Sequence, residues 1–435
     1  MAALSIGYVL IMPNQGFMPV IAPHLPAATA NDAVWLTSIY LLFTVVPMPI
    51  TGRLGDKLGQ TRVYVIGLVI YAVSLALAAV PFSREVWWKL VAARALQGLG
   101  SAIFLPQAFG LINRLFPAYR RGPAFAAWGV VGSLGSLVGP ILGGYLVGQY
   151  GWQSAFAVQA VIAVLGVVLP ALWLPELPTT PVRLRILPVV VSFLGLALLV
   201  NGIQALNWWC ILGAVVLLAV LVAIERARPI EDSFLPTQLF ADRNFALGTA
   251  AISCMGFAVA SMFIPIMYWL QSAGGVSAST AGWLTAPMSV VALVLTPHAG
   301  VLADRVDPRA LNVAGFAVMA LGLFGGWAIA LAGLSAMWFA LVTGLLGLGS
   351  AFVWAPNATT TMRGVPEEAA GAASGLYNTV RQVGSVVGVA AVGAVMAGGG
   401  VGETSISAML VPAASMEAGA VLSAFLRSDI ARESR

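Results

Sequence analysis

Apolar runs of membrane-spanning length fill most of this chain and leave little choice of fold. A spanning helix needs about 20 mostly apolar residues, and the 435-residue sequence holds fourteen such runs. Charged residues make up only 9% of it and hydrophobic residues 60%, whereas an average soluble domain is about half apolar and about a quarter charged. We therefore predict an all-α membrane protein. The predicted helices are 3–23, 33–51, 62–81, 87–107, 123–148, 153–174, 185–204, 207–224, 244–271, 280–302, 309–332, 335–356, 371–397 and 405–426.

Helix is the spanning form that fits these runs, because they are too long and too uniformly apolar for barrel strands. The first run has no basic segment before it, so we interpret it as a retained span and not a cleaved signal peptide. Cys210 and Cys254 lie inside apolar runs. We expect both to be packing residues and not a disulfide or a metal pair.

Basic residues fall almost entirely on one side of the predicted topology. With a cytoplasmic N-terminus, 17 of the 21 Lys and Arg residues lie in inner loops or the C-terminal tail, and only Arg84 and Lys89 lie in outer loops. Basic loops favour the cytoplasmic side. We therefore expect a multi-pass protein of the cell (inner or plasma) membrane with both termini in the cytoplasm. This distribution accounts for the net charge of +5 without a nucleic-acid partner.

Two motifs recur at nearly the same offset. Asp304 follows Asp56 by 248 positions, and Gly384–Gly388 follows the similar Gly135–Gly139 by 249. We predict two six-helix pseudo-repeat bundles with two inserted helices between them. Parallel repeats of this kind hold a substrate near the bilayer midplane. The predicted boundaries are 1–175 for the N-terminal bundle, 176–243 for the linker with the inserted helices, 244–426 for the C-terminal bundle and 427–435 for a cytoplasmic tail.

The segment Gly52–Arg62 carries four charges in eleven positions and is predicted to be a loop between helices 2 and 3. Arg94–Gly100 and Gly135–Gly144 are further dense motifs. Together they resemble signatures of the major facilitator superfamily, and more narrowly of its fourteen-helix drug:proton antiporters (EmrB/QacA-like). The resemblance covers nearly the whole chain and implies the major facilitator fold. Further matches lie at Trp35–Leu42 and Gln271–Pro287.

Two positions depart from that family pattern. The first glycine of the helix 5 antiporter signature would fall on Ala126. Relatives that export cations carry an acid in helix 1, whereas Phe17–Ala22, before Leu25-Pro26, has none. This argues against a dicationic drug as cargo.

The resemblance implies a latch that holds the cytoplasmic face shut. Aspartate can accept hydrogen bonds from free amides at a neighbouring helix N-terminus, and nearby basic residues can pair with it or with lipid phosphates. The alternative is a loop anchored by its positive charges. The candidate latch and gate residues are Gly52, Asp56, Lys57, Arg62, Gly135, Gly139, Pro140, Asp304 and Arg305.

Arg94 lies within a span, where a charge costs about 2.5–3.5 kcal/mol, so it is expected to face a polar interior. The resemblance ties this arginine to proton coupling, but an arginine does not itself release a proton. It would lower the pKa of a nearby acid, bind an anionic group, or serve as a structural hydrogen-bond hub. Glu417, in the last span, is a second candidate for proton coupling if it is buried, and otherwise a bystander.

Glycines allow helices to approach closely, and Pro140 removes one helical hydrogen bond and permits a bend. Helix 5 is therefore interpreted as a sliding surface and gate or, more simply, as tight packing. Arg381 either faces the cavity or extends toward the inner membrane face. The candidate cavity residues are Asn14, Gln15, Gln97, Trp128, Gln159, Tyr268, Trp269, Asn378 and Arg381.

The pattern predicts a proton-coupled exporter of amphipathic small molecules, working by rocker-switch alternating access. The alternative is an importer or exporter of a specific lipid or metabolite. An enzyme is not expected, because acids and bases are scattered singly; His24 and His298 have no metal-ligand spacing. No cofactor is expected and no GxxxxGK[ST] run is present, so the proton gradient is the expected energy source. The expected partners are the small amphipathic cargo, membrane lipid and a possible periplasmic adaptor, with a functional monomer.

Overall fold

The computed structural model describes residues 2–25, 30–80, 87–179, 186–226, 228, 237–303, 306–366, 369–398 and 401–427. All regular secondary structure in these residues is helical. In lipid every backbone polar group must be paired internally, which a helix achieves along one segment. The helices are α1 (Ala2–Ile21), α2 (Ala30–Val45), α3 (Met48–Leu58), α4 (Gln60–Ala79), α5 (Trp87–Leu115), α6 (Ala118–Tyr150), α7 (Trp152–Trp173), α8 (Ile186–Gln204), α9 (Trp208–Arg226), α10 (Arg243–Ser261), α11 (Phe263–Gln271), α12 (Ala278–Ala303), α13 (Pro308–Leu331), α14 (Phe339–Ala351), α15 (Trp354–Met362), α16 (Ala370–Met396), α17 (Val401–Ala408) and α18 (Leu410–Ala424).

The number of membrane spans confirms the predicted architecture. Within the described residues, 13 helical segments are long and apolar enough to cross a bilayer. A fourteenth span is formed if the bent pair α2 and α3 counts as one. The two pieces of that pair are inclined at 48°, and Pro47 and Pro49 stand at the break, where proline cannot donate a helical hydrogen bond.

The charged segment is helical, which corrects the prediction of a loop at Gly52–Arg62. Helix α3 runs through Leu58, and α4 begins at Gln60. Gly59 alone separates them, with φ of 100°, a conformation that glycine adopts without steric cost. The turn between α3 and α4 therefore consists of one residue, and the charged residues of Gly52–Arg62 lie on the surfaces of these two helices.

Three predicted single helices are interrupted. The predicted spans 244–271, 335–356 and 405–426 are each built of two helices, broken near Met262, Phe352 and Met409. None of these interruptions follows from apolar periodicity, because the apolar run continues through each break.

Contacts divide the chain into two units. One comprises Met1–Ala197 with Ser277–Trp283, and the other comprises Leu198–Val276 with Leu284–Arg435. These units follow spatial contacts, so the boundaries predicted from sequence stay a prediction.

The same helix pairings recur in each unit. In the first unit α1 packs on α6, and α4 packs on both α5 and α7. In the second unit α10 packs on α16, and α13 packs on both α14 and α18. Helices at equivalent places in the two predicted repeats thus choose equivalent partners, which confirms the duplicated architecture.

Candidate functional site

Arg94 is buried inside the first unit, with 1% of its surface exposed. Its Nε donates to the Leu36 carbonyl (3.3 Å), and its Nη1 donates to Asn14 Oδ1 (3.2 Å) and to Gln97 Oε1. The guanidinium carbon lies 4.4 Å from the centre of the Tyr40 ring. Three helices, α1, α2 and α5, therefore hold one charged group in a membrane span.

Sequence reasoning named three members of this arrangement. Asn14 and Gln97 were predicted to line a cavity and Arg94 to take part in proton coupling, and the structure brings all three together. Gln97 also donates from Nε2 to Asn14 Oδ1 at 3.4 Å. Asn14 and Gln97 are 0% and 1% exposed, so in this structure they are closed to solvent.

Tyr40 was not named as a site residue. It stands within Trp35–Leu42, a run noted for its family resemblance, but that pattern does not reveal which way a side chain points. Tyr40 is 2% exposed, and its hydroxyl lies beside the polar side chains of Ser101, Thr44 and Asn14 without a hydrogen bond of standard geometry. Its ring supplies the negative π-face that attracts a guanidinium.

Helices α1 and α6 meet along a seam of glycine and proline. A Cβ on Gly139 would lie 2.9 Å from Pro13 Cα, and one on Gly16 would lie 2.7 Å from Pro140 Cδ. Gly135 is buried on the same helix. Helix α6 continues unbroken through Pro140, and the predicted gate role of these residues stays a prediction.

Ser277 and the first turns of α12, through Trp283, belong to the first unit and pack on α6 at Pro140 and Gly144. A Cβ on Gly144 would clash with the Ala278 carbonyl, and one on Gly282 with the Pro140 carbonyl. Because these glycines carry no side chain, the backbone of α6 can contact α1 on one side and α12 on another.

Asp56 lies on α3 and is paired with side chains. Its Oδ1 accepts hydrogen bonds from Arg114 Nη2 (2.9 Å) and Gln60 Nε2 (3.1 Å). In the described residues no helix N-terminal amide donates to it, so the backbone contact proposed from sequence is replaced by an ion pair with α5. The latch function stays a prediction, because Asp304 and Arg305 lie outside the described residues.

The segment after α7 is fastened across the ends of α4 and α5. We call residues 174–179 the strap. Arg62 donates from Nε and Nη2 to the two oxygens of Glu176 (2.7 and 2.6 Å), and Thr61 Oγ1 donates to the Pro175 carbonyl (2.7 Å). Arg114, the partner of Asp56, also donates to the Pro178 carbonyl (3.4 Å). The strap therefore connects to Asp56 through one arginine.

Electrostatics of the strap depend on its exposed ion pair. The two hydrogen bonds from Arg62 hold the pKa of the Glu176 carboxyl below its usual range. A depressed pKa means that the pair is formed above the ordinary pKa of glutamate and is lost only as the pH falls through the depressed value. Gly52 and Lys57, also predicted here, lie on α3, where a Cβ on Gly52 would lie 3.5 Å from Pro106 Cβ and the Lys57 side chain is exposed.

The second unit presents a different set of predicted residues. The guanidinium carbon of Arg381, on α16, lies 5.7 Å from the centre of the Trp354 ring. Asn378 is exposed one turn before it and donates to the Ser374 carbonyl. Tyr268 and Trp269 are buried, and Trp269 stacks on Phe339 with ring centres 5.1 Å apart. These two aromatic residues pack in this structure and do not line an open cavity.

A buried polar cluster in the second unit was missed. Asn357 Oδ1 accepts from the Tyr377 hydroxyl (2.9 Å) and from Thr361 Oγ1 (3.4 Å). None of these three residues is charged, so the signal that pointed to Arg94, a charge within a span, is missing from the cluster itself.

The remaining predicted residues are not brought into either cluster. Gln159 is buried on α7 and donates to the Ala155 carbonyl at 3.4 Å. Gln15 is exposed on α1, and Glu417 is exposed on α18. The burial that a proton carrier was argued to need is therefore not seen at Glu417, and its role stays a prediction. The side chain of Trp128 lies outside the described residues.

Comparison with known proteins matches this chain to the family model described as Major Facilitator Superfamily, over residues 4–389. The chain is 35% identical to "Uncharacterized MFS-type transporter Rv1250" of Mycobacterium tuberculosis, over 91% of this chain and 69% of the relative. It is 28% identical to "Tetracenomycin C resistance and export protein" of Streptomyces glaucescens, over 91% and 75%.

A relative with another stated cargo is "Riboflavin transporter RibZ" of Clostridioides difficile, 26% identical over 82% of this chain and 78% of the relative. Among solved structures, a D-xylose-proton symporter superposes with a TM-score of 0.69 at 14% identity, covering 95% of this chain and 96% of the symporter. That likeness concerns the fold alone.

Proposed function

Because the chain belongs to the major facilitator superfamily, we propose that it is a proton-coupled secondary-active exporter of amphipathic small molecules. The protein is a membrane transporter with helical spans. Its proposed cycle alternates between inward-open and outward-open states, with both termini in the cytoplasm. Cargo and proton would each favour one state, and that difference in affinity couples them.

The observation that carries the proposal is the buried Arg94 in α5. A charge within a span is expensive and marks an ion or substrate pathway more often than a purely structural position. Its amide and aromatic partners come from three helices, so movement of any one of them changes the environment of the charge. The export direction is supported by the relative named for tetracenomycin C export.

The strap and the α1–α6 seam support a cycle with discrete states. Helices that touch through glycine and proline can slide with little side-chain interference. The strap ties α7 to α4 and α5, so a change at Asp56 is transmitted to the chain that follows α7. Both features suit rigid-body movement of packed helices, which is how such transporters alternate.

Cells with and without the protein provide the test. Growth inhibition and accumulation are compared for cationic, neutral and anionic amphipathic compounds, with and without a protonophore. Export predicts lower accumulation of at least one compound in the expressing cells, and dissipating the proton gradient is expected to abolish the difference. Equal accumulation across the panel would contradict export.

The second candidate is transport of a specific metabolite on the same scaffold. It is favoured by the relative named as a riboflavin transporter. Direction separates the two proposals, because import predicts higher accumulation in expressing cells and a response restricted to one chemical class.

A further inference from the structure

The positive charge of Arg94 has no anionic partner. Its hydrogen bonds go to one backbone carbonyl and two side-chain amides, and within the described part of the chain no carboxylate lies within ion-pair distance of it. Taking an ion out of water costs several kcal/mol unless a counter-charge and hydrogen bonds replace the lost hydration. The cluster supplies hydrogen bonds but no counter-charge.

Donors outnumber acceptors around the same guanidinium. Asn14 Nδ2 and the Tyr40 hydroxyl are buried and make no hydrogen bond of standard geometry to the described residues. Asn14 and Tyr40 are 0% and 2% exposed. Buried polar atoms are nearly always hydrogen-bonded, so two unsatisfied groups beside one buried charge indicate a missing partner.

The chemistry of that partner follows from the donors. A carboxylate offers two oxygens with about four lone-pair sites and matches the fork of a guanidinium. Water would satisfy the amide and the hydroxyl but would leave the charge uncompensated. Phe17–Ala22 contains no acid and no described carboxylate pairs with Arg94, so a bound molecule can supply the counter-charge.

We propose that Arg94, Asn14 and Tyr40 form a binding site for the carboxylate of an anionic amphipathic cargo. This rests on the proposed function and narrows its substrate class. The cluster is closed in this structure, so binding accompanies a movement of α1 or α2 away from α5. The carboxylate replaces the missing counter-charge, and the apolar part of the cargo remains among the helices.

The test uses two probes that differ only in charge. Binding of 1-naphthaleneacetate and 1-naphthaleneethanol to the purified full-length protein in detergent is measured by equilibrium dialysis. The acid is expected to bind saturably and about tenfold or more tightly than the alcohol, because a charge-assisted pair contributes more than about 1.4 kcal/mol. Equal binding of the two probes would overturn the site.

Replacing Arg94 itself risks misfolding, so the decisive variant is Asn14→Asp. The new carboxylate lies beside Arg94 and supplies the counter-charge internally, so the variant is expected to fold and to lose at least about tenfold in affinity for the acid. Asn207→Asp is the matched control: Asn207 is exposed, and its Oδ1 accepts from the backbone of Trp209 and Cys210, which aspartate also does.

If the site is real, Asn14→Asp loses affinity for the acid and Asn207→Asp keeps it. Unchanged acid binding in folded Asn14→Asp, or equal losses in both variants, would overturn the proposal. Binding is measured without a membrane or a gradient, so it is independent of transport. Gradient-driven export of neutral compounds without acid binding would overturn the carboxylate site and leave the proposed function standing. Acid binding without export of any compound would support the carboxylate site and contradict the proposed function.

Discussion

At the scale of single residues, Tyr40 has two separable parts. Its ring lies against the Arg94 guanidinium, 4.4 Å away, while its hydroxyl makes no hydrogen bond of standard geometry to the described residues. A cation–π contact that is shielded from water contributes about 2 kcal/mol or more. The ring is therefore expected to stabilise the fold, and the hydroxyl is free to serve a ligand.

We predict that Tyr40→Phe leaves stability within about 0.5 kcal/mol of the wild type, because the lost hydroxyl made no hydrogen bond. Tyr40→Leu is expected to cost at least about 1 kcal/mol, since the aromatic face is lost. Thermal unfolding of the purified protein in detergent measures both. A phenylalanine variant as unstable as the leucine variant would assign the stability to the hydroxyl instead.

The charged and amide residues of this cluster were predictable in part. Arg94 stands out because a charge in a span needs a reason, and Asn14 and Gln97 are among the few amides in apolar runs. Tyr40 and the Leu36 carbonyl could not be found this way, because aromatic residues and backbone groups occur throughout the chain. Their place depends on how α2 packs against α5, which one sequence does not specify.

At the scale of elements, the α1–α6 seam depends on absent side chains. A Cβ on Gly139 would lie 2.9 Å from both the Cα and the carbonyl oxygen of Pro13, and backbone atoms cannot move aside as a flexible side chain can. Gly148, on the same helix, has no neighbouring atom within 4 Å of such a Cβ. The two glycines therefore lie on the same helix but differ in the room that each leaves for an added methyl group.

We predict that Gly139→Ala destabilises the protein by about 1–3 kcal/mol, as overpacking does, and also slows transport. Gly148→Ala is the matched control and is expected to be neutral or slightly stabilising, because alanine is the better helix former. Detergent melting curves and initial transport rates measure both effects. Equal behaviour of the two variants would mean that the seam tolerates an added methyl group.

The ion pair of the strap determines how the strap responds to pH. Because Arg62 lowers the pKa of Glu176, the carboxylate stays charged above the ordinary glutamate range, and the pair is lost only at more acidic pH. We predict that Glu176→Gln changes the transport rate by the same factor at every pH from about 6 to 8. A Glu176→Gln profile whose shape changes within that window would show that the strap titrates during the cycle.

Element type was predictable from apolar run length, whereas element breaks were not. The run from Trp35 to the end of α3 reads as one span followed by a loop, but prolines bend it and Gly59 provides a one-residue turn. Helix α5 likewise continues to Leu115, beyond its predicted end at 107. Long helices project past the hydrocarbon layer where the sequence has already become polar, so hydropathy alone misplaces their ends.

At the scale of the whole molecule, the account predicts which loops share a side of the membrane. In a background with Cys210→Ser and Cys254→Ala, single cysteines replace the exposed Lys57 and Ala273 in turn. A membrane-impermeant maleimide added to intact cells is expected to label Ala273→Cys and not Lys57→Cys, because basic residues at the ends of spans favour the cytoplasmic side. Labelling of both, or of Lys57→Cys alone, would contradict the orientation.

The duplicated plan was predictable because the same motifs return after 248 and 249 positions, and equivalent helices pair in each unit. The cargo was not predictable to the same degree. Fold and pairing depend on many apolar residues, while specificity depends on a few polar groups whose partners become visible only in three dimensions.

Transport by the purified protein in proteoliposomes, with an imposed pH gradient, tests proton-coupled export most directly. A labelled compound that the cell panel identifies as cargo is followed with the gradient present, reversed or collapsed by a protonophore. The account predicts that cargo moves against the direction of proton flow, reverses with the gradient and stops when the gradient collapses. Cargo flux of the same size and direction under all three conditions would contradict it.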